Sequence, residues 1–336
     1  MNSETMNRLD QRIDHLIETY PFVRIFLETH GLLEQCHGDL SVTLGDLFDR
    51  SHGLDDDLWA GREDFERALS RYIDEASGFY SGRYETIHTV TLEPGVDKDG
   101  SPEPIKPVTL KQGQIIGLTG PTGSGKSRLL ADIEWLAQAD TPTRRRILIN
   151  GKPPAREQRF SPHFRMVTLL SQNMNFVMDL AVGEFLLLHA QSLCFSSPEP
   201  VIQRILAQAN KLAGEPFSRE TSLTALSGGQ SRALMIADAA FLSQSPVVLI
   251  DEIENAGIDR RQALDLLVGQ DKIVLMATHD PILALRSDYR LVLKNGAIGK
   301  VLRTTDPERQ LLTRFEPYDR ELLALREKLR RGRPLT

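Results

Sequence analysis

The sequence contains few cysteines, and this limits how the chain can be held together. Cys36 and Cys194 are the two cysteines among 336 residues, too few for the disulfide framework of small secreted domains. Long apolar segments are lacking too, since no stretch approaches the roughly 20 consecutive apolar residues that cross a bilayer. The polar first residues offer no signal-peptide core. These absences predict a chain that works in a reduced, cytoplasmic setting without a membrane span of its own.

The charge is distributed unevenly along the chain. Residues 1–80 contain 17 acidic and 7 basic side chains, whereas residues 81–336 contain 29 acidic and 33 basic ones. This asymmetry predicts two segments with different surfaces. The first surface is interpreted either as a solvated acidic face or as a docking face for a partner. Because acidic side chains repel a phosphate backbone, nucleic acid is disfavoured as a partner.

Residues 1–80 predict a small helical domain. Apolar side chains recur at helical spacing over residues 6–20, 22–27 and 65–73, as expected for helices that bury one face. Gly31 fits a helix end, and Thr43 with Asp46 fits a helix start. We therefore assign residues 1–80 to an accessory domain.

The rest of the chain predicts a mixed α/β domain over residues 81–303 and a basic helical tail over residues 304–336. Residues 94–107, rich in Pro, Gly and Asp, connect two short strands that pair in an antiparallel way. Helical patterns dominate residues 180–225, and Asn295-Gly296 predicts a closing hairpin. Further strands are predicted at residues 115–118, 147–149, 247–250 and 273–278, and helices at 127–138, 227–242 and 321–331.

A glycine-rich segment after the predicted strand 115–118 fits the pattern G-x-x-x-x-G-K-[ST] of a phosphate-binding loop. Glycines let the backbone approach a phosphate closely, and the amides at the following helix start can hold its charge. Lys126 is then expected to contact the β- and γ-phosphates of ATP, and Ser127 to ligate Mg²⁺. The predicted nucleotide-binding residues are Gly120, Pro121, Thr122, Gly123, Ser124, Gly125, Lys126 and Ser127.

Two carboxylates end the apolar run of residues 247–250. A carboxylate at the end of a buried strand needs a compensating partner, and a divalent cation supplies one. We therefore predict that Asp251 binds Mg²⁺. The neighbouring Glu252 is predicted to act as the general base that polarises the attacking water.

Together with the segment Leu226-Ser227-Gly228-Gly229-Gln230, these motifs resemble the ATP-binding cassette (ABC) ATPases in their order and spacing. The resemblance covers residues 87–302. It implies an α/β fold of the P-loop NTPase class and ABC type, in which a mixed sheet core carries an antiparallel β subdomain and a helical subdomain. The small all-α domain of residues 1–80 is an addition to that fold.

The resemblance also implies roles for other residues. Gln172 is implied to contact Mg²⁺ and the attacking water, and His279 to hydrogen-bond the γ-phosphate. Asp259 is the acidic residue of the loop that crosses between two copies of the chain, and the spacing from Asp251 to Asp259 is one residue longer than is usual in the family. The base-stacking aromatic is not fixed by the resemblance; Tyr84 is the nearest upstream candidate.

The resemblance further implies a head-to-tail dimer. Each copy would contact the γ-phosphate held by the other copy, and two ATP molecules would lie between the two. Binding would close this dimer, and hydrolysis with product release would open it. The residues implied in this contact are Ser227, Gly228, Gly229 and Gln230.

Three hypotheses describe the work that this cycle drives. The N-terminal domain and the altered loop before Asp259 favour a machine that remodels or activates a metalloenzyme, which is the first hypothesis. The alternative is the energising subunit of a membrane transporter, peripheral to the inner membrane, whose permease is on separate chains. A nucleic-acid-linked ATPase is the third hypothesis.

Three weaker features allow two interpretations each. Cys36, with His30 and His37 nearby, is interpreted as a buried thiol rather than a metal ligand. The apolar side chains of residues 174–178 suit either a partner surface or core packing. The basic segments 144–146 and 328–333 suit either anionic partners or ordinary solvated positions.

Overall fold

The computed structural model of this chain describes residues 8–20, 22–36, 38–51, 59, 61–80, 87–154, 159, 165–171, 176–193, 195, 197–252, 258–330 and 332–334. Contacts divide the chain into one unit of Met1–Thr86 with Leu187–Pro198 and a second unit of Ile87–Leu186 with Glu199–Thr336. Within the described residues, no helix combines the length and the apolar content that a bilayer crossing requires.

The first unit contains the predicted N-terminal helical region. Its core is aromatic: Phe26 lies 6.3 Å from Phe65 and 5.0 Å from Tyr72 between ring centroids. Cys36 is 1% exposed in this core, which confirms that it is a buried thiol. The helices are α1 (Ile13–Thr19), α2 (Val23–Thr29), α3 (Leu44–Ser51) and α4 (Arg62–Tyr80), with 3-10 turns at Arg8–Asp10 and Leu33–Cys36.

The second unit is built on a six-stranded sheet in the order β5-β6-β7-β3-β8-β9. All neighbours are parallel except β8 and β9, which form the predicted closing hairpin. The central strands are continuous buried apolar runs, because helices cover both faces of such a sheet. The strands are β3 (Ile115–Thr119), β5 (Val167–Leu170), β6 (Val247–Asp251), β7 (Ile273–Ala277), β8 (Tyr289–Lys294) and β9 (Ala297–Arg303).

A smaller antiparallel sheet has the order β2-β1-β4. It consists of β1 (Thr89–Leu92), β2 (Val108–Lys111) and β4 (Ile147–Ile149). The pairing of β1 with β2 confirms the predicted antiparallel subdomain. β4 adds to the other edge of β1, with Val90 opposite Ile149.

Seven helices are described from Lys126 onward; five lie wholly in the second unit, and the two that include residues 187–192 and 198 are divided between the units. Two of them differ from the predicted bounds, and each difference has a local cause. The helix after β3 ends at Glu134 rather than 138, because Leu136 and Ala139 have positive φ values of 48° and 64°. The helices are α5 (Lys126–Glu134), α6 (Val182–Ser192), α7 (Pro198–Leu212), α8 (Gly228–Phe241), α9 (Arg260–Val268), α10 (Pro281–Arg286) and α11 (Asp306–Arg330).

The C-terminal helix, α11, begins 15 residues before the predicted start at 321. Thr305 donates its backbone N–H and its hydroxyl to Glu308 Oε2 at 2.9 and 3.0 Å. These bonds resemble half of a capping box and fix the helix start. The helix continues through Pro317, so the proline does not mark a boundary here.

A buried ion cluster fixes the loop of residues 94–107, which we call the 94–107 loop. The side chains of Arg145 and Glu103 are 1% and 0% exposed, and Arg145 Nη1 donates to Glu103 Oε2 at 2.7 Å. Glu103 also accepts the N–H of Gly95 at 2.9 Å and that of Ile298 at 2.6 Å. Arg145 Nε lies 3.7 Å from the buried Asp132 of α5. The cluster therefore ties the loop to β9 and to the helix that follows the phosphate loop.

Candidate active site

Three of the predicted site segments lie at the carboxyl ends of adjacent parallel strands: the phosphate loop after β3, Asp251 with Glu252 at the end of β6, and His279 after β7. Leu118 of β3 pairs with Ala277 of β7, and Ala277 pairs with Asp251 at the end of β6. Neighbouring strands lie about 4.8 Å apart, so Asp251 is roughly 10 Å from the strand that leads into the phosphate loop. The carboxyl edge of an open parallel sheet is where such folds bind ligands.

The phosphate loop has a backbone that requires its glycines. Gly120, Gly123 and Gly125 have φ values of 145°, 76° and 104°, which side chains of L-residues rarely permit. A Cβ on Gly120 would lie 2.5 Å from the carbonyl oxygen of Leu293, and one on Gly125 would lie 2.7 Å from Gly296 Cα. The loop is therefore packed against the β8–β9 turn.

Lys126 lies at the first position of α5, where its side chain turns back over the loop. Its Nζ donates to the Gly120 carbonyl at 2.9 Å and to the Pro121 carbonyl at 3.3 Å. Ser124 Oγ is buried, and no hydrogen-bond partner for it occurs in the described part of the chain. The loop thus combines the ammonium group of Lys126, the hydroxyl of Ser124 and the start of α5. This arrangement suits a bound phosphate.

Asp251 and Glu252, the two predicted site carboxylates, differ in backbone conformation at the end of β6. Asp251 is the last residue of β6 and is half-buried. Glu252 has a positive φ of 51°, and its backbone N–H donates to the Ala277 carbonyl at 3.1 Å. The left-handed turn therefore redirects the chain immediately after Asp251, and the β7 contact fixes the Glu252 backbone.

His279 is exposed and follows Thr278, whose N–H donates to Leu118 of β3 at 3.1 Å. This bond fixes the segment after β7 beside the strand that feeds the phosphate loop. Asp280, the next residue, caps α10 by accepting the N–H of Ile282 at 2.7 Å. His279 is thus held between two fixed backbone positions at the carboxyl edge of the sheet.

Ser227 is the N-cap of α8, in a capping box with Gln230. Its hydroxyl accepts the N–H of Gln230 at 3.3 Å, while Gln230 Oε1 accepts the N–H of Ser227 at 2.9 Å. Gly228 is exposed, and a Cβ built on it would have no heavy atom within 4 Å. The first turn of α8 therefore presents an open surface to any partner.

Asp259 is the N-cap of α9, where it accepts the N–H of Gln262 at 3.0 Å. The following residue, Arg260, forms an ion pair with Asp280 and a second one with Asp319 of α11 at 3.1 Å. The sequence does not predict this link from the C-terminal helix to Asp280, the neighbour of His279. Its members are far apart in sequence, so no local pattern indicates it.

Part of the predicted site lies outside the described residues. Gln172 and residues 253–257 belong to this part, as do Tyr84 and His37. Among the described residues there is no group of three His, Cys, Asp or Glu side chains arranged for a metal ion. The residue roles assigned from the sequence therefore stay predictions, although the described members lie on the elements expected for them.

Comparisons with known proteins identify the family that the chain is similar to. Residues 107–255 match the family model described as ABC transporter. The chain is 52% identical over 250 residues to an uncharacterized ABC transporter ATP-binding protein of Methanocaldococcus jannaschii, covering 74% of this chain and 95% of that protein. It is 29% identical over 203 residues to the thiamine import ATP-binding protein ThiQ of Haemophilus influenzae, covering 58% of this chain and 89% of that protein.

The fold agrees with a solved structure as well. The ATP-binding subunit of an ABC transporter overlays with a TM-score of 0.51 at 22% identity, covering 67% of this chain and 93% of that one. This likeness confirms the predicted fold class.

Proposed function

This chain belongs to the family of ABC transporter ATP-binding proteins, and we propose that it is the ATP-hydrolysing subunit of a membrane transporter whose permease is on separate chains. As a member of this family it is an ATPase that binds ATP. The observation that carries the proposal is the 52% identity to a protein named as an uncharacterized ABC transporter ATP-binding protein, over 95% of its length.

The exposed apolar side chains after β5 support a partner surface. Val177 is 93% exposed and Met178 is 48% exposed, so the interpretation of these two residues as core packing is wrong. Phe176 lies 5.3 Å from Phe185 between ring centroids, which holds the segment against α6. Because apolar side chains exposed together favour protein contacts, we assign the permease contact to Val177 and Met178.

The first hypothesis, a metalloenzyme activator, receives no support from the relatives. Their names describe transport proteins, and the thiamine import protein is one example. We therefore favour the transporter assignment, and with it a location at the cytoplasmic face of the membrane.

Within the nucleotide site we propose roles for this chain's own residues. Lys126 and the loop amides bind the phosphates, Glu252 accepts a proton from the attacking water, and His279 orients the γ-phosphate. The hydroxyl of Ser127 and the carboxylate of Asp251 are oxygen donors of the kind that Mg²⁺ prefers, and Gln172 is proposed as a further ligand. Bound Mg²⁺ would neutralise charge that develops on the phosphates.

A second copy is proposed to complete each site. Ser227 and the Gly229 amide lie at the start of α8, where the helix dipole favours a negative charge. Gly228 and Gln230 lie in the same helix turn, and Asp259 is proposed to contribute to the contact with the second copy. We propose that the first turn of α8 covers the nucleotide bound by the partner copy, so that two ATP molecules lie between two chains.

Purification of the tagged chain from detergent-solubilised native membranes tests the transporter assignment. We expect a polytopic membrane protein to co-purify with the chain. Changing both Val177 and Met178 to Asp is expected to lower its recovery at least about 10-fold, because charge at an apolar contact is costly, while ATP binding persists.

Leu302→Asp is the matched control for that experiment, since Leu302 is 41% exposed but lies on β9. It should leave co-purification unchanged. Recovery of a redox enzyme with no membrane subunit would overturn the transporter assignment and restore the activator hypothesis.

A further inference from the structure

The 94–107 loop reaches the phosphate loop through a lysine. Lys98 Nζ donates to the carbonyl oxygen of Gly123 at 3.0 Å, and the Lys98 backbone N–H donates to the Asn295 carbonyl at 3.0 Å. The next residue of the β8–β9 turn, Gly296, donates its N–H to the Ser124 carbonyl at 2.8 Å. The 94–107 loop, the turn and the phosphate loop thus form one connected layer.

Close packing fixes the direction of the Lys98 side chain. A Cβ built on Gly296 would lie 3.0 Å from Lys98 Cγ, and one built on Gly125 would lie 2.7 Å from Gly296 Cα. The stem of Lys98 therefore crosses Gly296, and Gly296 lies against Gly125 at the start of α5. A side chain at Gly296 would displace the stem of Lys98, and one at Gly125 would displace Gly296.

The neighbouring carboxylates are directed to other partners. Asp97 Oδ1 accepts the N–H groups of Asp99 and Ser101 at 2.9 and 2.8 Å. Asp99 Oδ2 accepts a hydrogen bond from Asn295 Nδ2 at 2.7 Å. Because both acids are used in holding the loop and the turn, Lys98 is the side chain that this tip directs at the phosphate loop.

We propose that Lys98 binds the phosphates of the nucleotide as a second cation beside Lys126, an inference that rests on the proposed nucleotide site. Both lysines donate to carbonyl oxygens of the phosphate loop, Lys126 to Gly120 at 2.9 Å and Lys98 to Gly123 at 3.0 Å. A phosphate oxygen carries a full charge and forms a stronger bond with an ammonium group than a carbonyl does. Lys98 exchanges the Gly123 carbonyl for a phosphate oxygen when the nucleotide binds.

The loop that carries Lys98 is anchored by contacts that do not involve the nucleotide. The buried pair of Glu103 and Arg145 anchors the 94–107 loop from behind, and Val96 donates its N–H to the Thr143 carbonyl at 2.7 Å. A cation on a fixed loop loses less freedom on binding than one on a mobile loop. The 94–107 loop is therefore a part of the nucleotide site that the phosphate-loop motif does not include.

Equilibrium binding of ATP, ADP and adenosine to the full chain tests this inference. Lys98→Met keeps most of the aliphatic stem but removes the charge, and we expect it to weaken ATP and ADP binding about 10-fold. Adenosine binding should stay within about 2-fold, since adenosine has no phosphate. Lys98→Arg should retain most of the affinity, and added salt should narrow the difference between Lys98→Met and the unchanged chain.

Two further variants make the outcome decisive. Lys106→Met is the matched control, because Lys106 belongs to the same loop but lies in a groove with Val108 and Lys300. The nucleotide binding of this variant should be unchanged.

Lys126→Ala should weaken ATP binding about 100-fold or more. If Lys126→Ala is without effect, the proposed nucleotide site is wrong. If Lys126→Ala weakens binding but Lys98→Met binds ATP as tightly as Lys106→Met does, only the Lys98 inference is overturned.

Discussion

The Glu252→Gln variant is expected to hydrolyse ATP about 100-fold more slowly, or slower still, while it binds ATP with unchanged affinity. The amide of Gln has nearly the shape of the carboxylate but cannot accept the proton of the attacking water. The backbone should be unaffected, because the substitution keeps the unbranched stem at a φ of 51° and the N–H bond to Ala277 at 3.1 Å. Loss of turnover without loss of binding is the property of a positioned base.

Phosphate release and equilibrium ATP binding, measured on the same preparation, check this prediction. Size-exclusion chromatography with ATP should show an accumulated dimer of Glu252→Gln, since hydrolysis no longer opens it. Glu321→Gln, a substitution of an exposed acid in α11, is the control and should hydrolyse ATP normally. Unchanged hydrolysis by Glu252→Gln would remove this residue from the role of base.

The Arg145→Met variant is expected to lower the free energy of unfolding of the second unit by about 3–5 kcal/mol. Removal of the guanidinium leaves the carboxylate of Glu103 buried, with its side chain 0% exposed, and without its cation. Asp132 loses a cation as well, at 3.7 Å. The cost comes mainly from the uncompensated charges rather than from the loss of a favourable pair.

Urea unfolding followed by tryptophan fluorescence measures this change in the second unit. Trp59 packs in the aromatic core of the first unit, at 4.9 Å from Phe65 between ring centroids, whereas Trp135 follows α5 directly. In a Trp59→Phe background, the signal of Trp135 therefore reports on the second unit. Arg146→Met is the matched control, because Arg146 is exposed. If the free energy of unfolding of Arg145→Met lies within about 0.5 kcal/mol of that of Arg146→Met, as for a surface substitution, the account is contradicted.

Periodicity and local motifs were enough to predict most of the second unit. The apolar runs that became β3, β6 and β7 are buried on both faces, and such runs are typical of central parallel strands. The glycines of the phosphate loop could be identified because their spacing reflects the approach of backbone to phosphate. These signals are local, so a single sequence contains them.

Contacts between distant residues could not be predicted in this way. Residues 144–146 form a run of three arginines that a sequence pattern does not separate, yet Arg145 is buried and its neighbours are exposed. Its partner Glu103 lies 42 positions away. The predicted start of α11 at residue 321 is also wrong, and the bonds from Thr305 to Glu308 fix the start 15 residues earlier.

In the candidate site, too, local patterns predict some residues, and contacts between distant residues involve others. Asp251, Glu252 and His279 follow predicted strands, and the sheet order places those strand ends side by side. No sequence pattern indicates a phosphate-binding role for Lys98, because the 94–107 loop is recognised only by its Pro, Gly and Asp content. The contact of Lys98 with Gly123 depends on the β8–β9 turn, which is distant in sequence. The domain bounds 1–80, 81–303 and 304–336 stay predictions.

The most direct test of the shared site is complementation between two inactive variants. Lys126→Ala removes the phosphate lysine from one copy. Gly228→Asp places a carboxylate at the start of α8, where the helix tolerates it but a γ-phosphate from the partner would be repelled. If each site is built from two copies, a mixed dimer contains one site with both defects and one site with none.

We predict that each variant alone is nearly inactive and that an equal mixture recovers up to about a quarter of the unchanged activity, because half of the dimers are mixed and half of their sites are intact. If the ATPase activity of the mixture never exceeds the average of the two separate proteins, the nucleotide site is not shared between copies and the account is wrong.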